Sequence, residues 1–201
     1  MHMTQRQLGA IETKKKLLDA GRKIICEKGL ANTSVEEITE RAGVSKGTFY
    51  TYFKRKEEIV FELSKDMFGE ILENAKAFPG NFTQKLTHYM VNFSGHIEED
   101  SVKLAQEWVS NVVGPGPAQK GFDRGKLPQD LSAVSELIQY GMRCGLLRPD
   151  IPVERLAHTL VDILYGQMLC WAMSDGAYSL KARTQQFCGV YLEALLKGME
   201  V

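Results

Sequence analysis

From Leu17 to Leu196 the apolar residues return at helical spacing, and no stretch of useful length alternates apolar with polar. That regularity leaves little room for anything but an all-α fold. Leu17, Leu18, Ile24 and Ile25 form a stripe at i, i+1, i+7 and i+8 that ends at Gly29, predicting a helix over about 7–28. Short helices are expected over about 34–41 and 46–53. A longer one is expected over 56–76, with Ile59, Val60, Leu63, Met67, Ile71 and Leu72 on its buried side and Pro79-Gly80 as its stop. Further helices are expected over about 82–98, 101–113, 130–145, 153–174 and 180–199, with a break at Leu147-Arg148-Pro149-Asp150. Residues 114–128 are rich in Gly and Pro and predict a helix–helix connection. They imitate a phosphate loop only superficially, lacking G-x-x-x-x-G-K-[ST] and a preceding strand.

With 44% hydrophobic and 25% charged residues, the 201-residue chain has the balance of a globular protein. No apolar run reaches the roughly 18 residues that a membrane span needs. The longest, Leu160–Met173, is interrupted by Asp162, Gly166 and Gln167, and Met1–Gly21 holds no apolar signal core. A cytoplasmic protein with no membrane association is therefore expected. Cys26, Cys144, Cys170 and Cys188 are scattered, with no C-x-x-C pair, and are expected as reduced thiols packed in helices, not as metal ligands. Net charge is zero but unevenly placed. Residues 1–60 carry 12 Lys/Arg against 8 Asp/Glu, a net +4, and the remainder carries the opposite net charge. A basic head on an acidic body suggests a head that meets a polyanion.

The informative segment is Thr33–Phe53, TSVEEITERAGVSKGTFYTYF. Its first helix is short and amphipathic, with Val35 and Ile38 facing in and Glu36, Glu37, Glu40 and Arg41 facing out. Thr33 with Glu36, or equally Ser34 with Glu37, can form a capping box at its start. Ala42-Gly43-Val44 makes a tight turn in which Gly43 can take a positive φ. Ser45 then caps a second helix. At 100° per residue with Phe49 at zero, Phe53 lies at about 40°, and Lys46, Tyr50, Gly47, Thr51 and Thr48 spread from about 60° to 260°. Phe49 and Phe53 thus anchor the helix, and Lys46, Gly47, Thr48, Tyr50 and Thr51 project outward.

That outward set suits a DNA major groove. Lys46 can donate to guanine O6 or N7, and the Thr48 methyl can meet a thymine methyl. Tyr50 and Tyr52 can reach phosphate oxygens, Thr33 sits where helix N–H groups favour phosphate, and Lys54, Arg55 and Lys56 add backbone charge. Gly47 costs about 1 kcal/mol of helix propensity, which a close approach to DNA would explain. Lys14, Lys15 and Lys16 are either a phosphate-facing set or a solvated face.

The stretch from about Thr13 to Phe61, centred on EKGLANTSVEEITERAGVSKGTFYTYFKRKEEIV, resembles the DNA-binding domain of TetR-family transcription regulators of the AcrR-like kind. The G-V-S-x-G-T-[LF]-Y-x-[HY]-F string carries the likeness, with Phe49 and Tyr52 standing for the commoner Leu and His. The resemblance implies a DNA-binding domain over 10–70 built of three helices, and a helical ligand-binding and dimerisation domain over 71–201, about nine helices in all. It implies DNA contacts from Thr33, Ser34, Ser45, Lys46, Gly47, Thr48, Tyr50, Thr51, Tyr52 and Lys56. It implies a homodimer on a palindromic operator and ligand-controlled repression.

Residues 153–174 are apolar nearly all round and 180–199 broadly so, which calls for cover on a second side. The resemblance places these two helices at the dimer interface, as a four-helix bundle. Large aromatic and soft side chains in the middle helices suit a pocket for a small apolar or amphipathic effector. Phe93, Trp108, Met142, Tyr165, Met168 and Trp171 are the candidate lining. Neither a cofactor nor a metal is expected. No H-E-x-x-H, G-x-S-x-G or Cys/His pairing supports an enzyme, and His158 with Asp162 at i, i+4 reads as a surface pair. The rival to a ligand-responsive regulator is a DNA-bound architectural or protein-contact factor with no small-molecule inducer.

Overall fold

The computed structural model describes residues 4–63, 67–113 and 126–201. The described elements are helical, with one isolated bridge between Leu147 and Glu200. They divide into two compact units, with described residues 4–63 and 103–113 in one and 67–102 and 126–201 in the other.

The first unit holds α1 (Gln5–Lys28), α2 (Val35–Ala42), α3 (Lys46–Tyr52) and α4 (Glu57–Leu63). Thr4 and Gln7 close a capping box at the start of α1, and Gly29 ends it. α1 therefore starts before the expected residue 7. Lys14, Lys15 and Lys16 stand well past its first turn, where the helix dipole no longer penalises them. Lys14 pairs with Glu62 at 2.5 Å and Lys16 with Glu12 at 2.9 Å. The core of this unit is built from Leu17, Ile25, Ile38, Phe49, Phe53 and Ile59. α1 and α4 cross at Gly21, where a methyl group would stand 2.8 Å from Ile59 Cγ2. α7 (Val102–Val113) belongs here from Lys103 onward, with Leu104 buried in the same core.

The second unit holds α5 (Met67–Ala77), α6 (Phe82–Asp100), α8 (Lys126–Arg143), α9 (Val153–Met173) and α10 (Leu180–Phe187). The expected helix over 56–76 corresponds to α4 and α5, with 64–66 outside the described residues. Phe82, Leu86, Tyr89, Met90 and Phe93 of α6 interdigitate with Leu137 and Ile138 of α8 and with Leu160 and Leu164 of α9. At Gly141 a methyl group would stand 2.5 Å from the Phe82 ring, so only glycine permits that approach.

Three expectations are corrected. α8 is already helical at Lys126, ahead of the expected start near 130. The rest of the expected loop, 114–125, lies outside the described residues. The final helix is not a continuous α-helix: Cys188–Leu192 widens into a π-turn before α11 (Glu193–Leu195). Among the thiols, Cys188 is buried and Cys26 half-buried, but Cys144 and Cys170 are exposed, so packing does not hold for all four.

Candidate nucleic-acid interface and effector site

α2 and α3 are fixed by their caps. Of the two possible capping boxes, Ser34–Glu37 forms: the Ser34 hydroxyl accepts from the Glu37 amide at 3.2 Å and the Glu37 carboxylate accepts from the Ser34 amide at 2.9 Å. Lys28 donates to the same carboxylate at 2.5 Å. The Lys28 hydrogen bond, then those of the Ser34 amide and hydroxyl, push the Glu37 pKa down to about 2. Gly43 closes α2 in the left-handed region, φ 68° and ψ 36°, donating its amide to Thr39 and Glu40 carbonyls. Ser45 caps α3 by accepting from the Thr48 amide at 3.1 Å, and its hydroxyl meets that of Thr48 at 2.9 Å.

The two faces of α3 differ sharply. Phe49 and Phe53 are buried, 0% and 2% exposed, with ring centroids 5.3 Å apart. Ser45, Lys46, Gly47, Tyr50 and Thr51 are exposed and Thr48 is half-exposed. Tyr50, 52% exposed, stands edge-on to Phe49 at 5.4 Å between ring centroids. Tyr52 is half-buried and packs on the core. Lys46 is held by Glu36 of α2, a link that raises the lysine pKa and lowers that of the carboxylate.

Two of the residues named from the sequence have inward partners. Thr33 is 2% exposed, and its hydroxyl donates to the Gly29 carbonyl at 2.8 Å. Lys56 donates its ammonium to the carbonyls of Leu30 and Thr33, both at 2.7 Å, which ties α4 to the turn that leads into α2. The sequence does not announce the role of α7. Glu107 accepts from the Leu30 amide at 3.0 Å, and Lys103 donates to the Glu27 carbonyl at 2.7 Å. Leu30 thereby receives Lys56 on its carbonyl and Glu107 on its amide, though these groups are 26 and 77 residues away in sequence.

The candidate effector residues are distributed over both units. Trp108 of α7 packs against the core of the first unit. In the second unit Phe93 is buried, and Met142 and Tyr165 pack against the same core. Met168 and Trp171 are buried on α9, and the Trp171 indole donates to the Tyr178 carbonyl at 2.8 Å. Phe93 and Tyr165 come together around two groups absent from the sequence reading. Tyr165 donates to Asp130 Oδ2 at 2.6 Å. Lys126 donates to Asp130 Oδ1 and lies 5.8 Å from the Phe93 ring centre. Both charges are buried, Lys126 4% and Asp130 1% exposed. Their i, i+4 spacing was the available signal, hidden because Lys126 falls in a Gly- and Pro-rich stretch. A separate open groove of about 380 Å³ between α5 and α6 is lined by Asn74, Phe78, His88 and Asn92. Among the described residues no cluster of His, Cys, Asp or Glu could hold a metal, and no helix is long and apolar enough to cross a membrane.

Residues 17–63 match the family model described as bacterial regulatory proteins of the tetR family. The chain is 24% identical over 195 residues to the transcriptional regulator AcrR of Shigella flexneri, covering 93% of this chain and 91% of that one. Among solved structures it resembles Bacillus subtilis FadR in complex with stearoyl-CoA, with a TM-score of 0.68, 22% identity and coverage of 92% and 99%. It also resembles the Thermus thermophilus repressor FadR in complex with lauroyl-CoA, with a TM-score of 0.69, 24% identity and coverage of 93% and 95%. These neighbours share the all-α fold.

Proposed function

We propose that this chain, whose residues 17–63 match the tetR-family model, is a cytoplasmic, ligand-responsive repressor that binds a palindromic operator as a homodimer. The observation that carries the reading is the division of α3: Phe49 and Phe53 are sunk in the core while Lys46, Gly47, Tyr50 and Thr51 stand in solvent. A helix so anchored presents a polar ridge of the size that a major groove admits. Ser45, Lys46, Gly47, Thr48, Tyr50 and Thr51 read base edges and nearby phosphates. Ser34 and Tyr52 flank them, and Thr33 and Lys56 set the turn that aims α2. Lys46 must exchange Glu36 for its DNA partner on binding.

The domain layout follows as DNA-binding over 10–70 and effector-binding with dimerisation over 71–201. The exposed apolar residues Leu169 and Met173 of α9 and Val190 and Tyr191 of the last helical stretch support a two-fold interface there. The effector is a small apolar or amphipathic molecule held in the second unit. The two FadR neighbours, each crystallised with a long-chain acyl-CoA, support that class. Within the head, Glu107 and Lys103 of α7 grip the end of α1 and the following turn.

The test is selection of bound duplexes from a random pool by the purified chain. A palindrome with half-sites about one turn or a whole number of turns apart, released by an apolar ligand, is expected. Many unrelated sites with no ligand response would favour the architectural factor, and failure to retain any duplex at low salt would end both readings.

A further inference from the structure

We propose that the effector carries a neutral hydrogen-bond acceptor, a carbonyl or hydroxyl on an otherwise apolar body, and that the Tyr89 hydroxyl takes it beside the Lys126–Asp130–Tyr165 cluster. The proposal rests on the effector-binding reading above and names the chemistry of that site. Tyr89 is 0% exposed, and its hydroxyl has no hydrogen-bond partner among the described residues. It sits one helical turn before Phe93, with ring centroids 6.2 Å apart, and Phe93 in turn faces the Lys126 ammonium at 5.8 Å. Burial, and then the nearby Asp130 charge, hold the phenol protonated, so it is a donor at any physiological pH.

Asp130 accepts from Lys126 on one oxygen and from Tyr165 on the other, so its carboxylate already has a donor on each side. A buried ion pair seldom outperforms apolar packing as a source of stability, so its presence suits recognition better than support of the core. An effector bringing a net charge into this buried place would have to shed its hydration there, which costs far more than desolvating a neutral carbonyl or hydroxyl. A neutral acceptor meets the Tyr89 hydroxyl, which has no partner among the described residues, at the smaller desolvation cost. Tyr89, unlike Tyr165, which already donates to Asp130, is therefore the residue whose hydrogen bonding changes on binding.

The experiment uses the full chain and four probes of equal twelve-carbon length: 2-dodecanone, 1-dodecanol, dodecanoate and dodecyltrimethylammonium. Binding is followed by tryptophan fluorescence and thermal unfolding, with duplex binding by the parent chain measured alongside. The ketone and alcohol are expected to bind most tightly. Tyr89→Phe is expected to unfold at a higher temperature without probe, because a buried unpartnered hydroxyl is gone, and to bind 2-dodecanone about tenfold more weakly. Tighter binding of either charged probe, unchanged ketone affinity in Tyr89→Phe, a lower unfolding temperature for that variant, or no response to any probe would each overturn the inference. Duplex binding retained through any of these outcomes leaves the regulator reading intact, whereas its loss would sink that reading separately.

Discussion

Lys56→Met separates two roles for one cation. The ammonium donates to the Leu30 and Thr33 carbonyls at 2.7 Å each, and methionine keeps the apolar stem while removing both bonds. A hydrogen bond with a charged partner contributes roughly 1.5–3 kcal/mol net, and partial exposure of this site places the pair together near about 2 kcal/mol. For a chain of this size 1 kcal/mol moves the unfolding midpoint by about 2–4 °C, so a fall of roughly 4–8 °C is expected. The turn that aims α2 also loosens, so operator affinity drops at every salt concentration by a similar factor. The assay pairs thermal unfolding with operator titrations between 50 and 200 mM salt, about the range over which phosphate contacts declare themselves. A slope shallower by about one unit with an unchanged melting point would refute this: Lys56 would then be a phosphate contact and not a tie between α4 and the turn.

Lys46→Ala combined with Tyr50→Ala should abolish operator preference while sedimentation still reports a dimer; retained preference would remove both from the groove. Phe49→Ala empties a fully buried position and should cost about 3–5 kcal/mol, unfolding the head before the second unit in a urea titration. Glu37 is held at a pKa of about 2 against an ordinary 4.5, so its contribution to stability is present above about 4.5 and fades as the pH falls towards 2. Glu37→Gln should flatten that part of the acid profile measured by denaturant midpoints. Met173→Lys with Val190→Lys places charges at positions 78% and 65% exposed in the single chain, so sedimentation should show monomers with unchanged helicity.

The head was legible because the decisive relations there are local. Phe49 and Phe53 differ by one turn of a single helix, so the wheel alone separates their face from that of Lys46 and Tyr50. Where two local patterns compete, the sequence stalls. Thr33 with Glu36 and Ser34 with Glu37 have identical spacing, and only the burial of Thr33 against the Gly29 carbonyl decides between them. Charge is harder still to place. Lys56 falls in a basic run that suits phosphate, yet its partners are carbonyls more than 20 residues back along the chain.

The same limit governs the second unit, with more at stake. Large side chains at core spacing led to Phe93 and Tyr165, but the groups that give their surroundings a chemical character are Lys126 and Asp130. Charged residues at the start of a helix ordinarily face water, so nothing in a periodicity argument turns these two inward. Trp108 shows the converse case: its size suits a pocket, and α7 sets it beside the core of the first unit, away from Phe93 and Tyr165 in the unit division. Pattern therefore finds which residues are buried far better than it finds what they are buried with. Effector chemistry depends on the second question, and here the answer turns on Asp130 already having both its oxygens occupied while the Tyr89 hydroxyl does not.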